Sequence, residues 1–174
     1  MSGDPPQADR ANDERQGIVR LVPQRVSNHP GSSSAGVSAR MSRARRRDTA
    51  PELALRRELH ARGLRYRVAY PVPGQRRRTI DIAFTRAKVA VFVDGCFWHG
   101  CPDHGTKPRS NSAWWQEKLA SNAARDADTD RVLTELGWQV VRVWEHDADR
   151  GAADLVEDCV RRRSVHAASS ERAF

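Results

Sequence analysis

Long hydrophobic runs are missing from this sequence of 174 residues. No apolar stretch approaches the ~18 residues that a membrane-spanning helix needs. The opening residues also lack the apolar centre of a secretory signal, so a soluble, cytoplasmic protein is expected, with no membrane partner. Cysteine is scarce, at three residues in all. So few, and an odd number, argue against a disulfide scaffold and leave metal binding open. No internal repeat is present. What remains is enough for one buried core: 39% of residues are hydrophobic, while a mean hydropathy of −0.72 implies much polar surface or tail. The length suits one domain with tails.

Charge is unevenly placed. Residues 40–78 hold thirteen arginines against three acids (Asp48, Glu52 and Glu58), a local balance of +10 in a chain whose total is +8. Such a basic segment on an otherwise near-neutral chain is the footprint of a polyanion binder. The same pattern also describes a solvated basic arm.

Residues 1–40, rich in Pro, Ser, Gly, Asn, Gln and Arg, read as a disordered extension. Order is predicted from Thr49, where Thr49-Ala50-Pro51-Glu52 forms a capping box with proline in the first turn. The helix carries Leu53, Leu55 and Leu59 and stops at Gly63. Leu64 to Tyr70 is an extended segment, followed by a Pro71–Gly74 turn. Thr79 to Phe84 alternates, with Ile80, Ile82 and Phe84 on one face and Thr79, Asp81 and Ala83 on the other. Val89 to Val93 is continuously apolar, as a central strand is. After a Gly-, Pro- and His-rich stretch, Ser112 caps a long helix bearing Trp115, Leu119, Val132, Leu133 and Leu136. Trp138 to Trp144 is a further strand, and a last helix carries the stripe Ala152, Leu155, Val156, Cys159 and Val160. The order predicts an α/β domain around a small mixed β-sheet flanked by helices.

Asp81 lies mid-strand after Arg76-Arg77-Arg78. A carboxylate there loses hydration and must be paired with an arginine or bound to a metal. Asp94 ends the next strand; with Asp81 it could hold a hard cation such as Mg²⁺, or simply form an Asp-Gly turn. The stretch from Gly95 to His104 is more specific. Cys96, Cys101 and His104 have the spacing of a structural zinc clip, with His146 as the fourth candidate ligand. The alternative is two inert cysteines and surface histidines. Cys159 is read as core. Phe97 and Trp98, on the same loop, could wedge between bases or pack over the metal. Trp114 and Trp115 divide between core and surface.

These residues resemble the very short patch repair (Vsr) endonucleases over about residues 41–163, leaving 164–174 as a tail. The resemblance runs through Arg47-Asp48-Thr49-Ala50-Pro51-Glu52, Thr79-Ile80-Asp81 and Phe92-Val93-Asp94-Gly95-Cys96-Phe97-Trp98-His99. It continues through Trp115, Lys118, Asn122, Arg125-Asp126, Leu136-Gly137-Trp138 and Val143-Trp144-Glu145. It implies a restriction-endonuclease-like core with a structural zinc loop, and strand nicking 5′ of a thymine mispaired with guanine. Asp81 matches the Mg²⁺-binding aspartate, His99 the histidine that activates water, and Glu52 a supporting helix glutamate. Phe97, Trp98 and Trp115 match aromatics that enter the DNA stack, and Cys96 a zinc ligand.

The chain departs from the family at several positions. Val93-Asp94 stands where Thr-His is common, so the Val93 carbonyl remains a metal ligand while Asp94 would add a carboxylate. Cys101 replaces a His, His104 lies one residue past the usual Cys, and His146 replaces a distant Cys; two Cys and two His still complete a tetrahedral set. Arg45, Arg46, Arg47, Lys118 and Asn122 are the remaining expected DNA contacts, with Arg76 to Arg78 on phosphates. The resemblance also implies a functional link to a cytosine-5 DNA methyltransferase and a monomeric enzyme. Two other readings stand beside it: an endonuclease of a DNA-modification system with another target, and a zinc-stabilised DNA-binding module without catalysis.

Overall fold

A computed structural model describes residues 47–105 and 110–171, with side chains through Val165. The expected 1–40 extension, Arg45 and Arg46 lie outside the described residues. The elements run α1 (Ala50–Ala61), β1 (Arg67–Val72), β2 (Gln75–Phe84), β3 (Val89–Asp94), α2 (Ser112–Glu135), β4 (Gln139–Trp144), a 3₁₀ turn (Glu145–Asp147) and α3 (Arg150–Glu171). The predicted order of helix, three strands, helix, strand, helix is therefore present. The last helix continues beyond residue 163 to Glu171. No helix among the described residues is long and apolar enough to cross a membrane.

The capping box forms as the local sequence dictates, with one change. Thr49 Oγ1 accepts from the Glu52 amide, while the Glu52 carboxylate reaches the Asp48 amide at 3.0 Å and the Thr49 hydroxyl at 3.1 Å. At the other long helix the cap is Asn111 rather than Ser112, in a left-handed conformation. β2 begins at Gln75, earlier than alternation suggested, because Pro73-Gly74 forms a tight hairpin in which Val72 pairs with Gln75; a register shift then passes over the arginine run to Pro71↔Thr79. Gly74, with φ +77°, takes the turn position that a side chain rarely tolerates.

The four strands are ordered β1-β2-β3-β4, the first two pairings antiparallel and β3–β4 parallel. Helices cover both faces. On one face, Leu55 and Leu59 of α1 and Val156 and Val160 of α3 pack on Ile82, Phe84, Val91 and Val143. On the other, Leu133 of α2 and Trp138 pack with Val72, Ile80, Ala83 and Phe92.

Three side-chain expectations are corrected. Ile80 packs on the opposite face from Ile82 and Phe84, so strict alternation fails where β2 passes Asp81. Opposite Asp81, Ala69 lies between the pairs Val68↔Ile82 and Tyr70↔Ile80 with φ +46°, strain of a kind that collects at functional sites. Leu136 and Leu155 are exposed, at 43% and 50%. The buried stripe of α2 instead runs Trp115, Asn122, Thr129 and Leu133, two of them polar and hydrogen-bonded.

Candidate active site

The site assembles at the C-terminal end of β3. Pairing between β2 and β3 runs from Phe84↔Val89 to Ile82↔Val91. Beyond it, the Val93 amide donates to the Asp81 carboxylate at 2.9 Å. Burial pushes the Asp81 carboxyl up to about 6, and the neighbouring charges of Glu52 and Asp94 add to the rise. The Val93 hydrogen bond and Arg56 oppose it. A carboxylate that is unwelcome in its ionised form beside two other acids is suited to a cation.

Glu52 is buried and engaged by the helix start and by Arg56 Nη2 at 2.9 Å. Arg56 in turn binds Asp48, and its Nε is buried with no partner among the described residues. Glu52 thus faces the site as a fixed charge rather than as a mobile ligand.

The loop after β3 folds on itself. The Trp98 and His99 amides both donate to the Gly95 carbonyl, and the Cys101 amide donates to that of Cys96. Gly105 closes the turn on the Cys101 carbonyl at 2.8 Å, where an added Cβ would clash with that oxygen. Two outside groups grip the loop. Glu145 accepts from the Cys96 amide at 2.8 Å, and the buried Asn122 donates to the Trp98 carbonyl at 3.0 Å. Asn122, expected to contact DNA, therefore holds the loop from below.

Cys96, Cys101, His104 and His146 meet there, each offering one ligand atom, all within 4.8 Å of one another. Two thiols and two imidazoles at this separation fit a tetrahedral Zn²⁺ set, whose bonds are about 2.3 Å to sulfur and 2.0–2.1 Å to nitrogen. Burial, Cys101 and Glu145 push the Cys96 thiol up to about 11, a cost that a bound divalent cation reverses. His146 reaches the cluster from the 3₁₀ turn after β4.

His99 stays outside that cluster. Its Nδ1 lies 2.6 Å from Asp126 Oδ2 on α2 and 3.7 Å from Asp94 Oδ1. A carboxylate at Nδ1 assigns the proton to that nitrogen and leaves the Nε2 lone pair available. Burial disfavours the imidazolium and Arg142 opposes it. The Asp126 hydrogen bond and the charges of Asp94 and Asp126 outweigh both, so the His99 pKa is raised. Asp126 is held below the usual carboxylate range by the same contact. Asp94 is buried and takes both carboxylate oxygens to Arg142 Nη1 at 2.8 Å. Its charge raises the Asp81 pKa, and its Oδ1 lies 3.7 Å from His99.

Phe97 packs edge to face on both Trp98 and Trp115, whose own rings are tilted to each other, with centroids 5.1–6.0 Å apart, and Trp114 lies against Trp115. Trp115 is buried, while Phe97 and Trp98 are half-exposed. Arg47, Arg76 and Arg77 are exposed and Lys118 is half-buried. Arg78, expected on phosphates, is bound to Asp128 at 2.7 Å and to Thr129 at 3.0 Å.

Sequence reasoning assigned no role to Asp126, Arg142 or Glu145. A polar residue inside the apolar run of β4 was the available signal for Arg142. Asp126 and Glu145 stand in strings that carry the family resemblance, but their roles were not legible because their partners lie 27 and 49 residues away.

The profile of the family described as DNA mismatch endonuclease Vsr matches residues 33–104. The type II nicking enzyme V.NaeI of Lentzea aerocolonigenes is 45% identical over 133 residues, 75% of this chain and 80% of that protein. The type II nicking enzyme V.XorIIP of Xanthomonas oryzae is 38% identical, over 66% of this chain and 83% of its own length. The DNA mismatch endonuclease Vsr of Escherichia coli is 35% identical, over 67% and 73%.

Proposed function

This chain belongs to the Vsr family of DNA endonucleases, and from that membership we propose that it nicks double-stranded DNA 5′ of the thymine in a T:G mispair, with Mg²⁺ as the catalytic cation. The mispair arises when 5-methylcytosine deaminates, so the activity serves very short patch repair alongside a cytosine-5 methyltransferase. The observation that carries the reading is His99. Its Nδ1 is tied to Asp126, its Nε2 is left available, and the charge of Asp94, 3.7 Å from that Nδ1, also bears on Asp81.

Asp81 and the Val93 carbonyl hold Mg²⁺ in this reading, with Glu52 adding negative charge behind them. The cation, when bound, polarises the scissile phosphate and neutralises the charge developing there. His99 accepts the proton of the attacking water at Nε2, and Asp126 stabilises the imidazolium that results. Cys96, Cys101, His104 and His146 hold Zn²⁺, which keeps rigid the loop that carries both the base and the rings. Phe97 and Trp98, backed by Trp115, insert beside the mispair, where unstacking costs least. Arg47, Arg76, Arg77 and Lys118 neutralise phosphates. The four-stranded mixed sheet with its site at one strand end is consistent with a restriction-endonuclease-like core.

A second reading has an observation of its own: several relatives are named type II nicking enzymes. This favours an endonuclease working beside a DNA-modification system, with T:G or another mismatch or modified base as target. A strand-specific nicking assay decides. On duplexes carrying T:G, each other mispair, modified cytosine or no lesion, Mg²⁺-dependent nicking at T:G alone is expected. Equal cutting of matched duplex would overturn the repair reading, and preference for another lesion would establish the second.

A further inference from the structure

We propose that Arg142 is a positioning residue for His99, acting by removing Asp94 as a rival acceptor for the imidazole; this deepens the reading of His99 as the base and rests on it. Three carboxylates converge here, Asp94 from the end of β3 and Asp126 and Asp130 from α2. Two of them face one nitrogen, since Nδ1 of His99 lies 2.6 Å from Asp126 and 3.7 Å from Asp94. A neutral imidazole has a single N–H to donate, so only one carboxylate can orient the ring. A ring shared between two acceptors would swing its Nε2 edge, and a misplacement of about 1 Å can cost about 100-fold in rate.

Arg142 resolves the competition geometrically. Its Nη1 takes both oxygens of Asp94 at 2.8 Å, leaving that carboxylate satisfied away from the ring. Its Nη2 stands 3.8 Å from Asp126 Oδ1, the oxygen that His99 does not use. Its Nε and Nη2 fix Asp130 at 3.0 Å. One planar cation thus spaces three anions that would otherwise repel, and only a guanidinium offers donors in that fork. The parallel register sets Phe92 beside Arg142, and the guanidinium carbon rests 4.8 Å from the Phe92 ring centre. The backbone pairing of β3 and β4 therefore decides where the cation stands, two positions before Asp94↔Trp144.

The test uses the full zinc-loaded chain and a T:G duplex. Single-turnover nicking rate, duplex affinity and melting temperature are measured for Arg142→Met, Arg142→Lys and the Asp94→Asn/Arg142→Met double variant. Imidazole ¹H–¹⁵N spectra are recorded alongside, with His99 assigned from Arg142-intact His99→Ala protein. R142M is expected to slow nicking about 10- to 100-fold with duplex affinity nearly unchanged, and to weaken the His99 Nδ1–H signature. R142K keeps the charge and so the fold, yet is expected to slow nicking as well because it lacks the fork. The double variant should recover at least tenfold of the rate lost in R142M, since the rival acceptor is then uncharged. A purely structural role would lower the melting temperature in step with the rate and leave the His99 Nδ1–H signature unmoved. Wild-type rates in R142M or R142K, or a folded double variant no faster than R142M, overturn the proposal. If H99A nicks normally the underlying base assignment fails; if H99A is inactive and R142M is not slowed, only the positioning role fails.

Discussion

In the proposed mechanism Asp81 is the residue where function and stability oppose one another. Its carboxyl is pushed up to about 6 in the fold, against an ordinary value of 3.8. The folded chain therefore holds that proton more tightly than the unfolded chain. Between roughly pH 4 and pH 6 stability declines as pH rises, and above pH 6 the full cost of the buried anion persists. In Mg²⁺-free buffer Asp81→Asn is expected to stabilise the protein at pH 7.5 by on the order of 1–3 kcal/mol. Near pH 4, where Asp81 is already protonated, the same substitution should change little. Thermal melts at the two pH values check this, and a nicking assay should show that the stabilised variant is inactive. A destabilised variant at pH 7.5 would mean that the carboxylate is favourably bound rather than strained. The presence of an acid in mid-strand was legible in the sequence. Its surroundings were not, because Glu52, Val93 and Asp94 reach it only after three separate elements pack together.

At the scale of elements, local chemistry predicted most of what forms. The Thr49 cap, the apolar run of β3 and the glycines after two helices act within a few residues of themselves, so their effects survive folding unchanged. Predictions failed where an element's limits depend on a neighbour. β2 extends to Gln75 because β1 pairs with it, and the buried face of α2 includes Asn122 and Thr129 because the loop and Arg78 supply their partners. The loop that carries the Cys/His cluster, proposed to hold zinc, is the element with the clearest consequence. Cys96→Ser removes a ligand atom from a cluster that ties the end of β3 to the turn after β4. Metal analysis is expected to find zinc lost, and the melting temperature should fall by about 10 °C. Since the Cys96 thiol lies near 11 without a cation, its deprotonation links zinc affinity to pH, and wild-type zinc retention should weaken on acidification. Unchanged zinc content in C96S would remove Cys96 from the ligand set.

For the molecule as a whole, the net charge of +8 matters less than which cations are available. Arg76 and Arg77 are exposed on the β1–β2 hairpin, whereas Arg78, next in sequence, is committed to Asp128 and Thr129 on α2. Arg76→Ala/Arg77→Ala is expected to weaken duplex binding and reduce the slope of log affinity against log salt by about 2, with the melting temperature unchanged. Arg78→Ala should instead lower the melting temperature and leave the salt slope nearly intact. Salt titrations and melts of the two variants separate these outcomes, and equal slopes throughout would mean that DNA does not reach the hairpin. The sequence by itself determined the order of elements, the four Cys and His residues that cluster beside the loop and the string around His99, because periodicity, capping and short loop spacings are local properties. Only the tertiary structure decided which carboxylate holds the imidazole, which arginine is free for phosphate and which acid is paired away. Those choices depend on contacts made across dozens of residues, where charge and burial act through space rather than along the chain.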